Sequence, residues 1–399
     1  MLADRRVVLG VSGGIACYKT CTLARRLTEL GAKVDVVMTA AATEFVRPLT
    51  FETLTRRPVL TSLWESGRAL SHIELAKTPD VIVVAPATAH LIARAAAGLA
   101  DDSLTTLLLA AEAPLVIAPG MNDEMYAHPA TRQNLSMLRE RGWTVVGPDT
   151  GPLAEGPSER PGRMSEPETI LAHVERVIVS RGSRLRGRHV LVTAGATREP
   201  LDAVRVLTNP SSGKMGFHVA ARAFARGAAV TLITGPVTLP APPGVALTRV
   251  TTTDEMLRAV GQHLPNADVL IMAAAPADYR PASPADGKPP KGSEARHIGV
   301  EPTEDVLTST VAQRRPDSVT VGFALEVGAA GAAEQRACGK LDEKQLDLIV
   351  LNRADELGSG FEVDTNRVTL ITSDHIERLE LLTKAEVADR ILDAVEQRL

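Results

Sequence analysis

The sequence is poor in aromatic side chains and in cysteine, and each scarcity excludes a class of protein. Phe, Trp and Tyr make up only 3% of the 399 residues, so a surface that binds nucleic acid by base stacking is not expected. The net charge of −4 also argues against broad nucleic-acid binding. Three cysteines are too few for a disulfide framework and suit a reducing cytosol. We therefore expect a cytoplasmic protein that does not bind nucleic acid.

Long apolar runs are missing as well. The sequence contains no secretory signal and no stretch of about 18 apolar residues, so we expect no membrane span. Short Val-, Ile- and Ala-rich runs instead alternate with amphipathic stretches, which predicts α/β domains with buried parallel strands. The pattern restarts after a short basic stretch rich in Gly and Ser, and a chain of 399 residues favours two domains. We predict two Rossmann-like domains with mainly parallel sheets, residues 1–182 and 189–399, joined by a linker at 183–188.

Two stretches of the first half follow predicted strands and have the composition of binding loops. Gly10-Val11-Ser12-Gly13-Gly14-Ile15-Ala16 reads as a strand, a Gly loop and a helix, which would present backbone N–H groups to a phosphate. A plain tight turn explains it equally well. Pro119-Gly120-Met121-Asn122 follows an apolar strand, and binding sites of α/β sheets lie past such strand ends. The Asn122 amide can bind a carboxylate, although a helix N-cap is the alternative.

The first half resembles a known enzyme family through these stretches, taken with Ser71–Leu75, Ala85–Thr88 and Pro161–Met164. It is similar to the flavin-dependent cysteine decarboxylases, and most of all to phosphopantothenoylcysteine decarboxylase. The resemblance implies a flavodoxin-like flavoprotein domain. The residues that it assigns to FMN binding are Ser12, Gly13, Gly14, Thr39, Pro86 and Thr88. The residues that it assigns to the substrate are Met121, Asn122, Arg163 and Met164.

A histidine in the first half is the candidate for the active-site base. Ser71-His72-Ile73-Glu74 has the form of a capping box with Ser71 as N-cap, which would place His72 at the first helical position. The helix dipole disfavours an imidazolium there, so a neutral, basic imidazole is expected. A surface histidine on a short helix is the alternative. The family resemblance assigns catalytic roles to His72 and Asn122.

The stretch from Gly151 to Arg163 is rich in Gly, Pro and charge and is predicted to be an exposed mobile loop. In the decarboxylase family this stretch is a flap over the flavin, and many members carry a cysteine in it that donates a proton. Here the flap has no cysteine, and Glu155 stands in its place. We predict Glu155 as the acid, with a solvated loop residue as the alternative. The missing cysteine also favours a rival function, a non-catalytic or altered flavoprotein domain; a flavin prenyltransferase is a weaker rival.

The second half contains Asn209-Pro210-Ser211-Ser212-Gly213-Lys214 before a predicted helix. Asn209 as N-cap with Pro210 at the first helical position is one interpretation, and an anion site at the turn is another. The string resembles the Asn-x-Ser-Ser-Gly-Lys signature of phosphopantothenate–cysteine ligases. The resemblance implies that Asn209 holds an acyl-cytidylate intermediate and makes Arg205 a second substrate contact.

The ligase resemblance also implies a CTP site with Mg²⁺. Its residues are Ala273, Ala274, Asp278, Lys288, Phe323, Lys340 and Lys344. Lys288 is also assigned a catalytic role, although two prolines follow it where the family has lysines. Lys340 and Lys344 lie four residues apart and share a helix face, which is otherwise typical of a solvated surface. No metal ligand is predicted.

Taken as a whole, the chain is similar to the bacterial bifunctional coenzyme A biosynthesis proteins. The resemblance implies two reactions, CTP-dependent joining of 4′-phosphopantothenate to cysteine and FMN-dependent decarboxylation of the product to 4′-phosphopantetheine. It also implies a homo-oligomer with a trimeric first domain and a dimeric second domain.

Overall fold

The computed structural model describes residues 2–64, 70–290, 297–353, 359–360 and 363–399. The chain divides into two compact units, Met1–Val179 and Ser180–Leu399. Within the described ranges, no helix has both the length and the apolar character that crossing a membrane requires.

The first unit is built on a five-stranded sheet in which all strands are parallel. Its strands are β1 (Arg6–Val11), β2 (Lys33–Met38), β3 (Val81–Ala87), β4 (Leu115–Pro119) and β5 (Thr144–Val145). Every residue of β3 and β4 is buried because helices cover both faces of the sheet. This double cover explains why these strands read as continuous apolar runs in the sequence.

The helices of the first unit connect these strands. They are α1 (Cys17–Glu29), α2 (Ala40–Thr43), α3 (Pro48–Thr55), α4 (Ser71–Lys77), α5 (Ala89–Ala97), α6 (Ser103–Leu109), α7 (Asp123–Ala127), α8 (Pro129–Glu140) and α9 (Pro167–Val179). The strand order is β2-β1-β3-β4-β5, which confirms the flavodoxin-like prediction. The order reverses between β1 and β3, so the loops that follow these two strands diverge and leave a crevice at the carboxyl edge.

The second unit is built on a larger, mixed sheet of eight strands. The strands of this unit are β6 (His189–Ala194), β7 (Arg198–Pro200), β8 (Val206–Thr208), β9 (Ala229–Thr234), β10 (Ala246–Arg249), β11 (Val269–Met272), β12 (Tyr279–Pro281), β13 (Val300–Pro302), β14 (Val319–Glu326), β15 (Leu348–Arg353), β16 (Thr365–Asn366), β17 (Val368–Ile371), β18 (Ile376–Arg378) and β19 (Leu382–Thr383). The main sheet has the order β10-β9-β6-β11-β14-β15-β17-β18.

The six parallel strands of this sheet have the order of a Rossmann fold. Counted along the chain, β10-β9-β6-β11-β14-β15 is 3-2-1-4-5-6, with the reversal between β6 and β11. β17 and β18 extend the sheet in antiparallel fashion beyond β15. The second Rossmann-like sheet predicted from the sequence is therefore present, with an antiparallel edge that the sequence pattern did not predict.

Helices cover the second sheet. The helices are α10 (Lys214–Ala225), α11 (Thr253–His263), α12 (Val306–Ser309), α13 (Ala330–Glu343) and α14 (Lys384–Glu396). α10 and α14 pack against each other, and Arg222 of α10 and Arg226, the residue that follows α10, form ion pairs with Asp389 of α14.

The stretch at 183–188, predicted to be a linker, is not a free tether. Leu185 is fully buried, the Ser183 hydroxyl donates to Glu396 at 2.7 Å, and the Gly187 N–H donates to the carbonyl of Gly227 at 3.1 Å. These contacts fix the stretch to the second unit, so its Gly and Ser content does not reflect flexibility.

Candidate active sites

A cavity of about 840 Å³ opens at the carboxyl edge of the first sheet. It lies where the strand order reverses, and the loops after β1, β2, β3 and β4 all contribute to it. Predicted site residues that line it are Ser12, Gly13, Gly14, Thr39, Thr88, Met121, Asn122, Glu155, Arg163 and Met164. Two predicted residues of this half, Pro86 and His72, are not part of the lining.

Hydroxyl side chains tie the loops of this cavity together. The Ser12 hydroxyl donates to the carbonyl of Pro86 at 2.8 Å and accepts from the N–H of Thr88 at 3.1 Å. Thr88 and Thr39 are the N-caps of α5 and α2. Pro86 therefore contributes to the cavity indirectly, because its carbonyl accepts the hydrogen bond that positions Ser12.

The cavity has the features that a flavin phosphate and ring require. A Cβ at Gly13 would lie 2.5 Å from the Cβ of Ala41, so only glycine fits there. A Cβ at Gly14 would meet nothing nearer than Thr88 at 3.5 Å, so the backbone of Gly14 is open to close approach by a ligand. The N-termini of α1 and α5 favour binding of an anion. Ile15 and Leu91 contribute apolar side chains to the cavity wall. The residues present therefore fit FMN.

Asn122 is an N-cap, and its remaining amide group faces the cavity. Its Oδ1 accepts from the N–H groups of Glu124, at 2.9 Å, and Met125, at 3.3 Å, which makes it the N-cap of α7. Its Nδ2 lies on the cavity side and donates to the Glu155 carboxylate. Capping thus fixes the amide so that its donor, and not its acceptor, faces the cavity.

The predicted flap lies closed over this cavity. Asp149 and Arg163 pair at its base in antiparallel fashion, and Leu153 and Gly156 form the turn at its tip. The Ser158 hydroxyl donates to Asp123 of α7 at 2.6 Å, and this hydrogen bond lowers the pKa of the Asp123 carboxyl.

A second charged contact also joins the flap to α7, since Arg160 forms an ion pair with Glu124. Together with the contact of Asn122 and Glu155, this makes three polar links between the flap and the start of α7. Glu155 is thereby held in the cavity beside Asn122.

Sequence reasoning missed a buried lysine in this cavity. Lys19 on α1 is 6% exposed and lines the cavity. Its ammonium donates to the carbonyl of Met164 at 3.2 Å and to Glu166 at 2.9 Å, and Arg163 donates to the same carboxylate at 2.6 Å. Burial raises the pKa of Glu166, but Lys19 and Arg163 lower it by more, so the net shift is downward. The available signal in the sequence was a lysine on the face of α1 that packs inward.

The structure corrects the predicted start of the His72 helix. α4 begins at Ser71 with Leu70 as N-cap and no capping hydrogen bond, so the predicted capping box with Glu74 does not form. His72 is consequently the second helical residue. Its Nδ1 is buried, and no described residue forms a hydrogen bond with it. His72 lies outside the cavity lining of its own chain.

A second cavity, of about 600 Å³, opens at the carboxyl edge of the second sheet. Predicted residues that line it are Asn209, Ala273, Ala274, Asp278, Phe323, Lys340 and Lys344. The Asn209 amide donates to the carbonyls of Ala275, at 3.2 Å, and Pro276, at 2.9 Å, and so joins the loop after β11 to the turn before α10.

The turn before α10 differs from one of its two predicted forms. α10 begins at Lys214 with Gly213 as N-cap, so Asn209 is not an N-cap and Pro210 is not the first helical residue. Gly213 has a φ of +77°, and a Cβ there would lie 2.9 Å from Val237, so glycine is required.

Carboxylates hold the two predicted nucleotide lysines at the cavity wall. Lys340 pairs with Glu326 at 2.7 Å, and Lys344 pairs with Asp305. Burial raises the pKa of both carboxyls, but the lysines, together with Arg336 at Glu326, lower it by more. The carboxylates are therefore ionised at neutral pH, and the ammonium groups are oriented before any ligand binds.

Two predicted ligase residues lie outside this cavity. Arg205 pairs with Asp202 at 2.5 Å and, with its backbone N–H, lowers the pKa of that carboxyl to about 2. Lys288 is exposed and does not contribute to the lining, and Lys291, which follows it, lies outside the described residues. Within the described part of the chain, no three His, Cys, Asp or Glu side chains cluster as metal ligands would.

Two family models match the chain, one to each half. The model of the Flavoprotein family matches residues 1–179. The model of the DNA/pantothenate metabolism flavoprotein C-terminal domain matches residues 185–399.

Curated relatives match along the whole length. The coenzyme A biosynthesis bifunctional protein CoaBC of Vibrio vulnificus strain CMCP6 is 43% identical over 399 residues, which cover 99% of this chain and 98% of the relative. The protein of the same name from Mycobacterium bovis is 45% identical over 403 residues, which cover 98% of this chain and 96% of the relative.

Solved structures match one half each. The crystal structure of the C-terminal domain of CoaBC is 39% identical and covers 53% of this chain and 96% of that one, with a TM-score of 0.44. A PPC decarboxylase mutant complexed with pantothenoylaminoethenethiol is 33% identical and covers 43% of this chain and 96% of that one, with a TM-score of 0.39.

Proposed function

The chain belongs to the family of bifunctional coenzyme A biosynthesis proteins CoaBC, and we propose a division of its two activities between its halves. As a member it is a bifunctional enzyme, a phosphopantothenoylcysteine decarboxylase and synthetase. Residues 1–182 would carry the decarboxylase and residues 189–399 the ligase, with 183–188 between them. The three free cysteines suit a cytosolic enzyme.

The ligase half activates 4′-phosphopantothenate with CTP. A carboxylate oxygen of 4′-phosphopantothenate attacks the α-phosphorus of CTP, and pyrophosphate leaves. The cysteine nitrogen then attacks the carbonyl carbon of the acyl-cytidylate, CMP leaves, and the nitrogen loses a proton. Each step moves negative charge onto phosphate oxygens, so a site of fixed cations accelerates both.

The residues of the second cavity supply this environment. Lys340 and Lys344 face the nucleotide phosphates, and the carboxylates of Glu326 and Asp305 keep them oriented. Asn209 holds the acyl-cytidylate. Phe323 packs on the cytosine. Ala273, Ala274 and Asp278 contact the nucleotide on the β11 side, with Asp278 at the ribose hydroxyls.

Three further assignments come from the family resemblance. Lys288 and Arg205 lie outside the second cavity, so their roles at the triphosphate and at the substrate require the loops that carry them to close on a bound ligand. Mg²⁺ enters with CTP. A site with few carboxylates suits Mg²⁺ held mainly by phosphate oxygens and water.

The decarboxylase half binds FMN through Ser12, Gly13, Gly14, Thr39 and Thr88, with Pro86 supporting Ser12. Bound there, FMN would supply a two-electron acceptor for the substrate thiol and would be reoxidised when the decarboxylated product is reduced, so that the overall reaction would need no external oxidant. The protein's part is to bind and orient the substrate. The Nδ2 of Asn122 and the guanidinium of Arg163 bind its carboxylate, and Met121 and Met164, which line the cavity, pack against the substrate.

His72 serves as the base, and its position favours an assembly. It lies outside the cavity of its own chain, and Leu70, two residues before it, is a large apolar side chain that is 76% exposed at the surface. A second copy that covers this surface would bring His72 to the neighbouring cavity. We therefore place the chain in a homo-oligomer, trimeric in the first domain and dimeric in the second.

Glu155 replaces the flap cysteine as the acid. Its carboxyl lines the cavity beside Asn122, within reach of a ligand bound there. The alternative is that the first domain is an altered or non-catalytic flavoprotein. The absence of a flap cysteine favours this alternative. The contact between Glu155 and Asn122 favours the catalytic version.

The observation that carries this proposal is the second cavity, which gathers Asn209, Phe323 and the two lysines Lys340 and Lys344 from distant segments. The test is CMP release from the purified protein with CTP, 4′-phosphopantothenate and cysteine, together with the absorbance spectrum of bound flavin. CMP release that depends on both substrates supports the ligase. CMP release with bound flavin but without release of carbon dioxide would favour the altered or non-catalytic first domain.

A further inference from the structure

One end of the second cavity is basic. Its lysines have no role in the proposed binding of the nucleotide or of the acyl-cytidylate. Two lysines line it beside Ser212 and Gly213: Lys214, the first residue of α10, and Lys384, the first residue of α14. α10 and α14 pack against each other, which brings these two residues, far apart in the chain, to one wall. α13, the helix of Lys340, packs instead in the core with α11. The two pairs of lysines therefore reach the cavity from different elements.

Lys384 occupies an unfavourable position for an ammonium group. The residue is 2% exposed, and the start of a helix disfavours a cation. Its Nζ donates to the carbonyls of Gly360, at 2.9 Å, and Val363, at 2.5 Å. Lys214 pairs with Asp364 at 2.6 Å. The same short segment of the chain thus contacts both lysines.

The charges around Lys384 come from both helices and from this segment. Burial and the charge of Lys214 lower the pKa of Lys384 to about 8, against the opposing charge of Asp364. His218 of α10 faces the same cluster, and burial, Lys384 and Arg222 lower its pKa. A multiply charged anion placed between the lysines would offset their mutual repulsion.

We propose that Lys384 and Lys214 form a phosphate-binding subsite of the ligase cavity, with the Ser212 hydroxyl as a further donor. The inference rests on the proposed ligase function, in which both CTP and 4′-phosphopantothenate carry phosphate. Two compact ammonium groups in one wall match a dianion better than a single carboxylate. A hydroxyl beside them adds a neutral donor, which phosphate oxygens also accept.

The experiment is calorimetric titration of the full-length protein at about pH 8.5 in two buffers of different ionisation enthalpy. The ligands are CTP, 4′-phosphopantothenate and inorganic pyrophosphate. Phosphate groups, with a second pKa of about 6, are ionised at this pH, His218 is neutral and Asp364 is charged. Proton uptake on binding therefore reports the protonation of Lys384.

We expect the wild type to take up a fraction of a proton on binding. Lys384→Met should lose this uptake and bind the phosphate compound at least about tenfold more weakly. Lys384→Arg should bind within a few-fold of the wild type but take up no proton, because a guanidinium stays protonated at this pH. Lys33→Met, which removes an exposed lysine of the first unit, is the matched control and should behave as the wild type.

The pattern across ligands identifies the source of the phosphate. A loss confined to 4′-phosphopantothenate assigns the subsite to the acyl substrate, and a loss with CTP and pyrophosphate assigns it to the nucleotide. Unchanged affinity and proton uptake with all three ligands in folded Lys384→Met would overturn the subsite. A lower melting temperature with unchanged binding would do the same, because Lys384 would then only hold Gly360 and Val363.

Failure of the subsite and failure of the ligase function remain distinguishable. A wild type that binds neither CTP nor 4′-phosphopantothenate contradicts the ligase function, whereas pyrophosphate binding with proton uptake would still support the lysine pair. Absence of pyrophosphate binding as well would overturn both. If Lys384→Met does not fold, the proton uptake of Lys384→Arg decides: uptake equal to that of the wild type overturns the subsite.

Discussion

At the scale of single residues, the two cavities use amide side chains to fix the backbone around a ligand. Asn122 caps α7 with its oxygen and turns its nitrogen to the first cavity. Asn209 donates to two carbonyls of the loop after β11 and borders the second cavity. In each case the hydrogen bonds that stabilise the loop also set the orientation of the amide, so an isosteric carboxylate would disturb both.

Asn209→Asp tests the role of this amide in the ligase. The variant should still release pyrophosphate with CTP and 4′-phosphopantothenate, because the lysines at the phosphates remain. Amide formation with cysteine should slow by about tenfold to a hundredfold, since an aspartate cannot donate to the carbonyls of Ala275 and Pro276 that hold this side chain at the acyl-cytidylate. Separate assays of pyrophosphate and of the cysteine adduct measure the two steps. An unchanged rate of adduct formation would remove Asn209 from the site.

Glu155→Gln tests the proposed acid of the flap. Decarboxylation needs the base, the carboxylate site and the flavin, so the variant should still consume substrate and release carbon dioxide. Reduction of the product needs a proton donor, so the oxidised enethiol should accumulate. Mass spectrometry of the product distinguishes the two outcomes. Fully reduced 4′-phosphopantetheine at the wild-type rate would rule out Glu155 as the donor.

At the scale of elements, α1 and the residues before α9 are joined through the ion pair of Lys19 and Glu166. The folded state lowers the pKa of Glu166, so this carboxylate stabilises the fold above its unfolded pKa of about 4.5. The contribution disappears as the pH falls through the lower, folded pKa. Because Glu166 is half exposed, we expect it to be worth about 1 kcal/mol or less.

Glu166→Gln should therefore destabilise the protein at pH 6 but not at low pH. The difference in melting temperature from the wild type should be constant between about pH 5 and 8 and should shrink below about pH 4.5. Glu168→Gln, which removes an exposed carboxylate two residues away, is the matched control. A difference for Glu166→Gln that stays constant down to pH 3 would mean that the lost contact is not ionic.

The sequence predicted the presence of helices and strands more accurately than the residues at which they begin. Apolar runs located the parallel strands, because burial on both faces leaves a strong signal. Ser71 was predicted to be the N-cap of α4, but it is the first residue of the helix. A capping pattern in a sequence does not show at which residue the backbone becomes helical. α10 begins four residues after the predicted Pro210 because Gly213 takes a left-handed conformation.

Site residues could be predicted where they follow a strand, and not where packing brings them in. Asn122 and Asn209 stand in recognisable loops. Lys19 and Lys384 look in the sequence like ordinary helical lysines, and only the packing of their helices buries them against a cavity. Lys288 shows the opposite case, because its resemblance to a family lysine does not bring it to the cavity of this chain.

At the scale of the whole molecule, the two units have separate sheets and separate cores. His72→Asn should therefore abolish carbon dioxide release while leaving CMP formation within about twofold of the wild type. Parallel assays on one preparation measure both activities. A joint loss of both in a folded variant would contradict either the domain boundary or the role of His72.

The central claim is that one chain carries out two consecutive reactions, and an isotope measurement tests it most directly. The purified protein is given CTP, 4′-phosphopantothenate and cysteine labelled with ¹³C at its carboxyl carbon, and CMP and ¹³CO₂ are measured over time. We expect ¹³CO₂ to follow CMP after a lag and to reach an equal amount, with 4′-phosphopantetheine as the product. CMP release with no ¹³CO₂, or ¹³CO₂ release without CTP, would contradict it.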